Sequence, residues 1–203
     1  AAMFFIEATA VSPKGRITPT CLGLWDDATA AALNDKLSRA RHLAPKVPIC
    51  IQLAHAGRKG SSASPWHGGQ LLDTSHGGWQ AEAPSAIPHL EQETPPDEIT
   101  PQGLIDIEQA FVKAAQSADA MGIEAIELHG AHGYLLHQFL SPIANKRTDA
   151  YGGNFDNRTR FPLQVFKAVR AAFSGVLGIR LSATDWVDNG WTPEETADFA
   201  ARL

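Results

Sequence analysis

Four short, almost continuously apolar runs divide the chain and predict the strands of one sheet. They occupy residues 3–8, 47–54, 123–129 and 177–183, and their composition is typical of strands that are buried on both faces. Between the runs, apolar residues recur at the spacing of amphipathic helices. The chain is therefore predicted to alternate strand and helix four times, which requires a parallel sheet with right-handed crossovers.

Residue types that begin and end helices accompany this pattern. The expected N-terminal signals are Asp26 or Asp27, Thr100 with Pro101, Asp156, and the capping box of Thr192 and Glu195. Gly122 is expected to end the second helix, because glycine readily adopts the left-handed conformation that closes many helices. Two long irregular segments remain, residues 57–99 and residues 133–155. Loops of such length typically act as lids or binding loops.

Two architectures fit this order of elements: an open doubly wound sheet and a closed eight-stranded barrel. A dinucleotide-binding sheet usually has Gly-x-Gly-x-x-Gly after its first strand, whereas residues 7–11 here read Glu-Ala-Thr-Ala-Val. Polar residues instead follow the strands, where barrel enzymes carry their chemistry. These residues are Gln52 and His55, His129 and His132, and Arg180 and Ser182. The prediction is an α/β fold of the (β/α)8 TIM-barrel type.

Four strand-helix units are half of such a barrel, which normally takes about 250 residues. Residues 1–203 are therefore expected to form one partial barrel domain that belongs to a longer protein. Both ends support this expectation, because residues 3–6 read as a buried strand already under way and residues 194–203 as a helix that stops without a C-terminal cap.

Composition narrows the function without selecting one. The 203 residues are 44% hydrophobic and 19% charged, as in ordinary globular proteins. The net charge of -5 gives no basic surface for nucleic acid or anionic lipid, and no apolar run is long enough to cross a membrane. Cys21 and Cys50 are too few for a disulfide framework, which favours a reducing, cytoplasmic location. We therefore expect a small-molecule ligand, and neither a nucleic-acid nor a membrane partner.

The most informative segment is residues 127–135, Glu-Leu-His-Gly-Ala-His-Gly-Tyr-Leu. A turn through Gly130 and Gly133 lets His129 and His132 converge on one oxygen atom. Two N–H donors on a carbonyl oxygen withdraw charge from a conjugated C=C bond and stabilise the enolate that forms when a hydride reaches its far carbon. Tyr134, which is protonated at neutral pH, is then placed to act as the general acid.

The same spacing is compatible with other roles. His-x-x-His also occurs as a pair of metal ligands, and Glu127 or His55 offers a third ligand. A metal-dependent barrel hydrolase that uses His129 and His132 is therefore an alternative. Histidines that merely satisfy hydrogen bonds within a loop are another. Spacing alone does not decide among these roles.

Gln52 and Arg180 lie at two other strand ends. An amide at a barrel mouth offers a donor and an acceptor to a flavin's pyrimidine edge or a nucleobase, although a glutamine that bridges two strands has the same sequence context. Arg180 interrupts an otherwise apolar strand and would bury an unpaired charge unless it met an anion. That anion is either a ligand or a carboxylate of the protein.

Taken together, three segments resemble the Old Yellow Enzyme family. They are residues 51–59 (Ile-Gln-Leu-Ala-His-Ala-Gly-Arg-Lys), residues 129–135, and residues 145–153 (Asn-Lys-Arg-Thr-Asp-Ala-Tyr-Gly-Gly) followed by Asn157 and Arg158. The resemblance runs across essentially the whole chain in the same order. With residues 7–11 and 15–17, the His-x-x-His motif resembles the bacterial xenobiotic-reductase or thermophilic-like branch, since other branches often have asparagine at the second position.

The resemblance implies an FMN-dependent ene-reductase on the eight-stranded barrel, of which this chain would supply strands two to five. FMN would be the cofactor, NAD(P)H the hydride donor, and activated alkenes such as enones, maleimides and nitro-compounds the substrates. The implied site residues are His129 and His132 for the substrate oxygen, Tyr134 for the proton, and Ala8, Gln52 and Arg180 for FMN. His55 and Lys59 would border the site, and residues 57–99 would cap the barrel.

Two further expectations concern the extent of the chain. The family holds the FMN phosphate after strands seven and eight, so residues 1–203 alone are expected to bind FMN weakly. An open half-barrel exposes strand edges and apolar helix faces, so self-association through these edges is expected. A third functional hypothesis is therefore a non-catalytic fragment that requires its complement.

Overall fold

The computed structural model describes residues 2–203, in which a parallel sheet packs against helices. The strands are β1 (Phe4–Ala10), β2 (Ile49–Ala54), β3 (Glu82–Ala83), β4 (Asp97–Glu98), β5 (Ala125–Gly130) and β6 (Val176–Leu181). The helices are α1 (Asp27–Leu43), α2 (Pro101–Ala120), α3 (Leu135–Leu140), α4 (Phe155–Ala172) and α5 (Pro193–Ala200). The main sheet has the order β1-β2-β5-β6, and each neighbouring pair is parallel. The predicted alternation of four strands with helices is confirmed.

Burial separates the inner strands of the sheet from the outer ones. Every residue of β2 is buried, and β5 is buried except at Glu127. The expectation of burial on both faces is wrong for β1 and β6, because each has a neighbour on one side alone. Val176 of β6 is 69% exposed, and Phe4 of β1 is 54% exposed. These outer strands give the sheet two open edges.

The hydrophobic core lies between the sheet and the long helices α2 and α4. Phe111 and Ala114 of α2 and Phe161 and Val165 of α4 are at most 1% exposed, and they pack in one cluster with residues of β2 and β5. Burial of one such large side chain stabilises the fold by about 1.5–3 kcal/mol. This core holds the carboxyl ends of β2 and β5 in fixed register.

Most of the predicted helix signals are confirmed. The side chains of Asp26, Thr100 and Thr192 cap α1, α2 and α5, and Gly122 follows α2 with a φ of 66°. The prediction that Asp156 caps the third long helix is wrong, because Asn154 accepts the hydrogen bond from the backbone of Asn157. Asp156 instead lies in the first turn of α4, where a negative charge complements the helix dipole.

The segment between residues 57 and 99 is irregular but firmly attached. It contains three short 3₁₀ turns and the paired strands β3 and β4. The guanidinium of Arg147, which is 5% exposed, donates to the carbonyl groups of Pro84 at 3.1 Å and Ile99 at 2.8 Å. A buried charge with these partners ties the segment to the loop that follows α3.

The second long segment is not irregular throughout. Residues 133–155 were expected to form a loop, but Leu135–Leu140 form α3, and all six of its residues are buried. The sequence pattern fails here because a short helix that is buried on all sides, with the polar His137 and Gln138 inside as well, shows no amphipathic period. As a result, the residue before α3, Tyr134, is fixed by a helix instead of a mobile loop.

Candidate active site

His129 is held in one tautomer at the end of β5. It is the penultimate residue of the strand and is 4% exposed. Its Nδ1 atom accepts a hydrogen bond from the backbone N–H of Ala131 at 3.3 Å, so the proton of the neutral imidazole is on Nε2. The ring therefore offers an N–H donor on the side that faces away from its own backbone.

The surroundings keep both imidazoles of the predicted pair neutral. Burial, followed by the nearby His132 and Arg180, lowers the pKa of His129 from 6.5 to about 4. Burial and the charges of Arg180 and Lys59 also lower the pKa of His132. Near pH 7 each ring is thus a neutral donor of one hydrogen bond and not a cation.

A left-handed turn at His132 and Gly133 brings the two rings together. The φ angles are 58° at His132 and 71° at Gly133, and a residue other than glycine in this region costs about 1–2 kcal/mol. The centres of the His129 and His132 rings are 5.1 Å apart, and the rings cross at 80°. The two rings are therefore close together, as predicted. Gly130, however, remains in β5, and His132 takes the place in the turn that was expected of a glycine.

Tyr134 completes the cluster. Its ring centre lies 4.8 Å from that of His129, and the two rings cross at 85°. Burial raises the pKa of Tyr134 above its ordinary value of 10.0, so the phenol is protonated over the whole neutral range. The Nζ atom of Lys59 is 5.7 Å from the centre of the Tyr134 ring and donates to the carbonyl of His132 at 2.8 Å. Lys59 therefore lies beside the cluster.

Arg180 lies next to His129 in the neighbouring strand. The register of the sheet pairs these two residues directly. Contrary to expectation, Arg180 is exposed and not buried, because β6 is an outer strand. Within residues 2–203 its guanidinium has neither an ion pair nor a hydrogen bond, so the alternative of a structural carboxylate partner finds no support in the described part of the chain.

Gln52 makes the contact between strands that its sequence context left open as one of two roles. Its Nε2 atom donates to Oε1 of Glu127 at 2.5 Å, across the register of β2 and β5, so that it does bridge strands. This contact uses one of its two N–H groups and leaves the amide oxygen and the second N–H for another partner. Glu127 has no separate sequence signal for this role, because the register of two strands 75 residues apart determines the contact.

Ala8 lies at an irregularity of β1 opposite Gln52. The pairing of β1 with β2 is regular up to Ile6 and resumes at Thr9, with two residues of β1 against one of β2. Such a bulge leaves an extra residue outside the ladder and is frequent beside active sites. The backbone around Ala8 can thus turn toward a ligand.

His55 is oriented away from this cluster. Its side chain is completely buried, its Nε2 atom lies 3.3 Å from Oε1 of Glu82, and its Nδ1 atom accepts from the backbone of Gly57 at 3.2 Å. These contacts connect the end of β2 to the segment that contains β3. His55 therefore has a structural position in this chain.

The hypothesis of a metal site at His129 and His132 requires a third ligand, and the structure places neither Glu127 nor His55 in that role. Glu127 is engaged by Gln52, and His55 by Glu82. Among residues 2–203, no group of three or more His, Cys, Asp or Glu side chains is arranged to hold a metal ion.

The donor set fits FMN. A flavin pyrimidine edge needs a mixed donor and acceptor, which Gln52 offers. It also needs a cation beside its carbonyl oxygen, which Arg180 offers, since it has no partner among residues 2–203. Both residues lie on the strands that flank or carry the imidazole pair. Half of a parallel barrel with this pair of N–H donors and a phenol at its carboxyl end has the features of an oxidoreductase site.

The chain belongs to the NADH:flavin oxidoreductase / NADH oxidase family, whose family profile matches residues 1–203. It is 41% identical to an NADH:flavin oxidoreductase of Gibberella zeae and 41% identical to an NADPH dehydrogenase of Bacillus licheniformis, over 98% of this chain in both cases. The resemblance to the Old Yellow Enzyme family is confirmed, and with it FMN as the family cofactor and a nicotinamide as the hydride donor.

Solved structures confirm the fold. Morphinone reductase superimposes with a TM-score of 0.77 at 31% identity, and the old yellow enzyme homologue from Zymomonas mobilis with 0.76 at 26% identity. The chain covers 51% and 53% of the two sequence relatives and 56% and 55% of these two structures. The four strands are accordingly about half of a TIM barrel. None of the helices in residues 2–203 is both long enough and apolar enough to cross a membrane.

Proposed function

We propose that this chain supplies the substrate-activating half of an ene-reductase, which reduces the C=C bond of activated alkenes such as enones, maleimides and nitro-compounds. The observation that carries the proposal is the cluster at the end of β5: two neutral imidazoles 5.1 Å apart with a protonated phenol 4.8 Å from the first. Such an arrangement suits an oxygen atom that gains negative charge next to a carbon that gains a proton.

The imidazole pair acts on the oxygen of the substrate. The Nε2–H of His129 and one N–H of His132 both donate to the carbonyl or nitro oxygen, which orients the alkene and stabilises the charge that develops on the oxygen. Because the rings are neutral, they give no proton away and act as donors throughout. FMN, when bound, supplies the hydride that it has received from NAD(P)H. Tyr134 then transfers the proton of its Oη to the carbon adjacent to the activating group.

Three residues of this chain would hold the cofactor. Gln52 would pair with the pyrimidine edge, Arg180 would contact the side of the ring on which negative charge collects, and the backbone at Ala8 would touch the ring. The unpaired guanidinium of Arg180 and the free amide oxygen of Gln52 support these roles. The remainder of the barrel would hold the phosphate, so that residues 1–203 alone bind FMN weakly.

Two further features belong to the same proposal. Residues 57–99 act as a cap over the barrel mouth, and the attachment of Pro84 and Ile99 by Arg147 supports a fixed position for the C-terminal part of this segment. A cytoplasmic location is proposed from the two free cysteines, Cys21 and Cys50.

The test uses the full-fold protein, which we define as this chain joined to the remaining half of the family barrel. It is titrated with FMN and then mixed anaerobically with NADPH and an enone. We expect stoichiometric FMN, NADPH oxidation that depends on the enone, and a product saturated at the C=C bond. A yellow protein that reduces its FMN with NADPH but leaves enones, maleimides and nitro-olefins unchanged refutes the ene-reductase proposal. A colourless protein with stoichiometric zinc or manganese favours the metal-dependent hydrolase.

A further inference from the structure

In the described part of the chain, the imidazole of His132 makes no hydrogen bond that would keep it in place. It is exposed, and its contacts by hydrogen bond within residues 2–203 are all made by its backbone. The position of the ring is therefore determined by the turn at His132 and Gly133, whose left-handed conformation must be maintained by the surroundings.

Four side chains maintain that turn. Each of them binds one backbone polar group, and they come from three separate segments of the chain. Ser182 Oγ accepts from the N–H of His132 at 2.9 Å, Lys59 Nζ donates to the His132 carbonyl at 2.8 Å, His137 Nδ1 accepts from the N–H of Gly133 at 2.9 Å, and Gln138 Nε2 donates to the Gly133 carbonyl at 2.7 Å. All four backbone groups of the turn are thus satisfied by side chains.

The contact made by His137 depends on its tautomer. A ring nitrogen accepts the Gly133 N–H only if it carries no proton, so the proton of neutral His137 must be on Nε2. That atom lies 3.2 Å from Oδ1 of Asp185, off the axis of a well-aligned hydrogen bond. The side chains of His137 and Asp185 are both 7% exposed, so water competes little for either group.

The orientation of Asp185 is fixed as well. Its second oxygen, Oδ2, accepts from Ser141 Oγ at 2.6 Å and from the backbone of Trp191 at 2.7 Å. This leaves Oδ1 toward His137. Burial acts to raise the pKa of Asp185, but the close approach of His137 and the hydrogen bonds from Ser141 and the backbone of Trp191 hold this pKa below its ordinary value, so the group is a carboxylate that favours the Nε2–H tautomer.

We propose that Asp185 and His137 form a positioning pair, which selects the tautomer that locks the His132–Gly133 turn and thereby aligns the second imidazole of the substrate site with the first. The inference rests on the proposed function, because it assigns His132 to the substrate oxygen. It goes beyond that function in giving two buried residues, neither of which touches substrate or cofactor, control over the geometry of the oxyanion donors.

The two variants that test the pair act by different routes. In Asp185→Asn the amide NH2 faces His137, which then keeps its proton on Nδ1 and opposes the Gly133 N–H with a second donor. His137→Phe removes the acceptor. His137→Asn is the conservative variant, because its Oδ1 occupies the position of Nδ1 and can still accept from Gly133. Asp73→Asn and His76→Asn are matched controls, since this Asp–His pair has the same kind of contact at 2.8 Å but is exposed.

The readouts are made on the full-fold protein. A phenol whose phenolate mimics the enolate oxygen probes the donor pair by spectroscopic titration, and the reductive and oxidative half-reactions are measured separately. We expect Asp185→Asn and His137→Phe to weaken phenolate binding and slow alkene reduction by about tenfold, as for loss of one well-placed hydrogen bond, with flavin reduction by NADPH within about twofold. His137→Asn should recover most of the loss, and the controls should match the wild type.

Nitrogen-15 NMR of the histidine side chains provides a readout independent of turnover. His137 should have its proton on Nε2 in the wild type and on Nδ1 in Asp185→Asn. Wild-type behaviour of both buried variants, or equal losses in both half-reactions without recovery in His137→Asn, would overturn the positioning role while leaving the ene-reductase function intact. Failure of the wild type to reduce any alkene would instead count against the proposed function.

Discussion

Replacement of His129 separates the neutral-donor mechanism from general acid catalysis. The structure gives this residue an Nε2–H donor, 4% exposure and a pKa of about 4. At pH 7 about one molecule in a thousand would carry an imidazolium at this position. A mechanism that required protonated His129 would therefore leave nearly all of the enzyme inactive. His129→Leu removes the donor and retains the bulk, whereas His129→Gln retains an N–H group near the same position.

The expected magnitude follows from the role of an oxyanion donor. Loss of one such donor costs about 2.7–4 kcal/mol, or about 10²–10³-fold in rate. We expect His129→Leu to lose this much in alkene reduction by the full-fold protein, His129→Gln to lose less, and flavin reduction by NADPH to change by less than about threefold. Stopped-flow measurement of the two half-reactions distinguishes these effects.

The pH dependence of alkene reduction can refute the role of His129 as a neutral donor. With a pKa of about 4, the donor state of His129 persists from pH 5.5 upward, so the ratio of wild-type to His129→Leu rates should be constant between about pH 5.5 and 8.5. If the ratio fell steadily above pH 6.5, the imidazolium would be the active form. Equal losses in both half-reactions would show that the residue is not specific to the alkene.

Three further predictions concern the same site. Tyr134→Phe should slow alkene reduction by about 10²-fold or more and leave flavin reduction intact, and unchanged alkene turnover would mean that water or another acid delivers the proton. Arg180→Met should weaken FMN binding by about tenfold or more while Arg180→Lys weakens it less, as measured by quenching of flavin fluorescence; equal affinities would remove Arg180 from the cofactor site. Because the pKa of His129 is lowered from 6.5 to about 4, its contribution to stability is full above pH 6.5 and is lost as the pH falls toward 4, by about 3 kcal/mol in total; urea unfolding of wild type and His129→Gln should converge in this range, and a constant difference would contradict it.

The strands and the reactive residues could be predicted from sequence because the patterns that indicate them lie within short segments of the chain. The apolar runs locate β2 and β5 to within two residues at each end, and the spacing of His129, His132 and Tyr134 anticipates their convergence. Parallel strands bring their carboxyl ends to one edge. The positions of Gln52 and Arg180 follow from this rule.

The parts that could not be predicted depend on contacts distant in sequence. Lys59 and Ser182, which bind the backbone of His132, lie 73 and 50 residues away from it. A left-handed histidine is unfavourable as a local choice, so sequence alone places the turn at the glycines. Likewise, α3 has neither an amphipathic period nor a capping side chain, because Tyr134 makes no cap hydrogen bond. The sequence therefore predicted the reactive residues of the site but not the residues that support them.

The open edges of the sheet lead to a prediction about the chain by itself. Phe4 and Phe5 of β1 are 54% and 53% exposed, and Val176 of β6 is 69% exposed. Apolar groups beside unpaired strand edges favour association between copies. We expect residues 1–203 to self-associate at micromolar concentration, with each half-buried Phe contributing about 1 kcal/mol or more to the contact.

Charged substitutions on β1 distinguish association through the strand edge from nonspecific association through the whole surface. If the edge of β1 forms the contact, Phe4→Lys with Phe5→Lys should weaken self-association by about tenfold or more in sedimentation equilibrium. Leu43→Lys is the matched control, because Leu43 is 84% exposed at the end of α1 and outside both edges. Equal effects of the two changes would assign association to the surface as a whole. A compact monomer of the wild-type chain would show that the exposed edges need no partner, and the argument from unpaired strands would then fail.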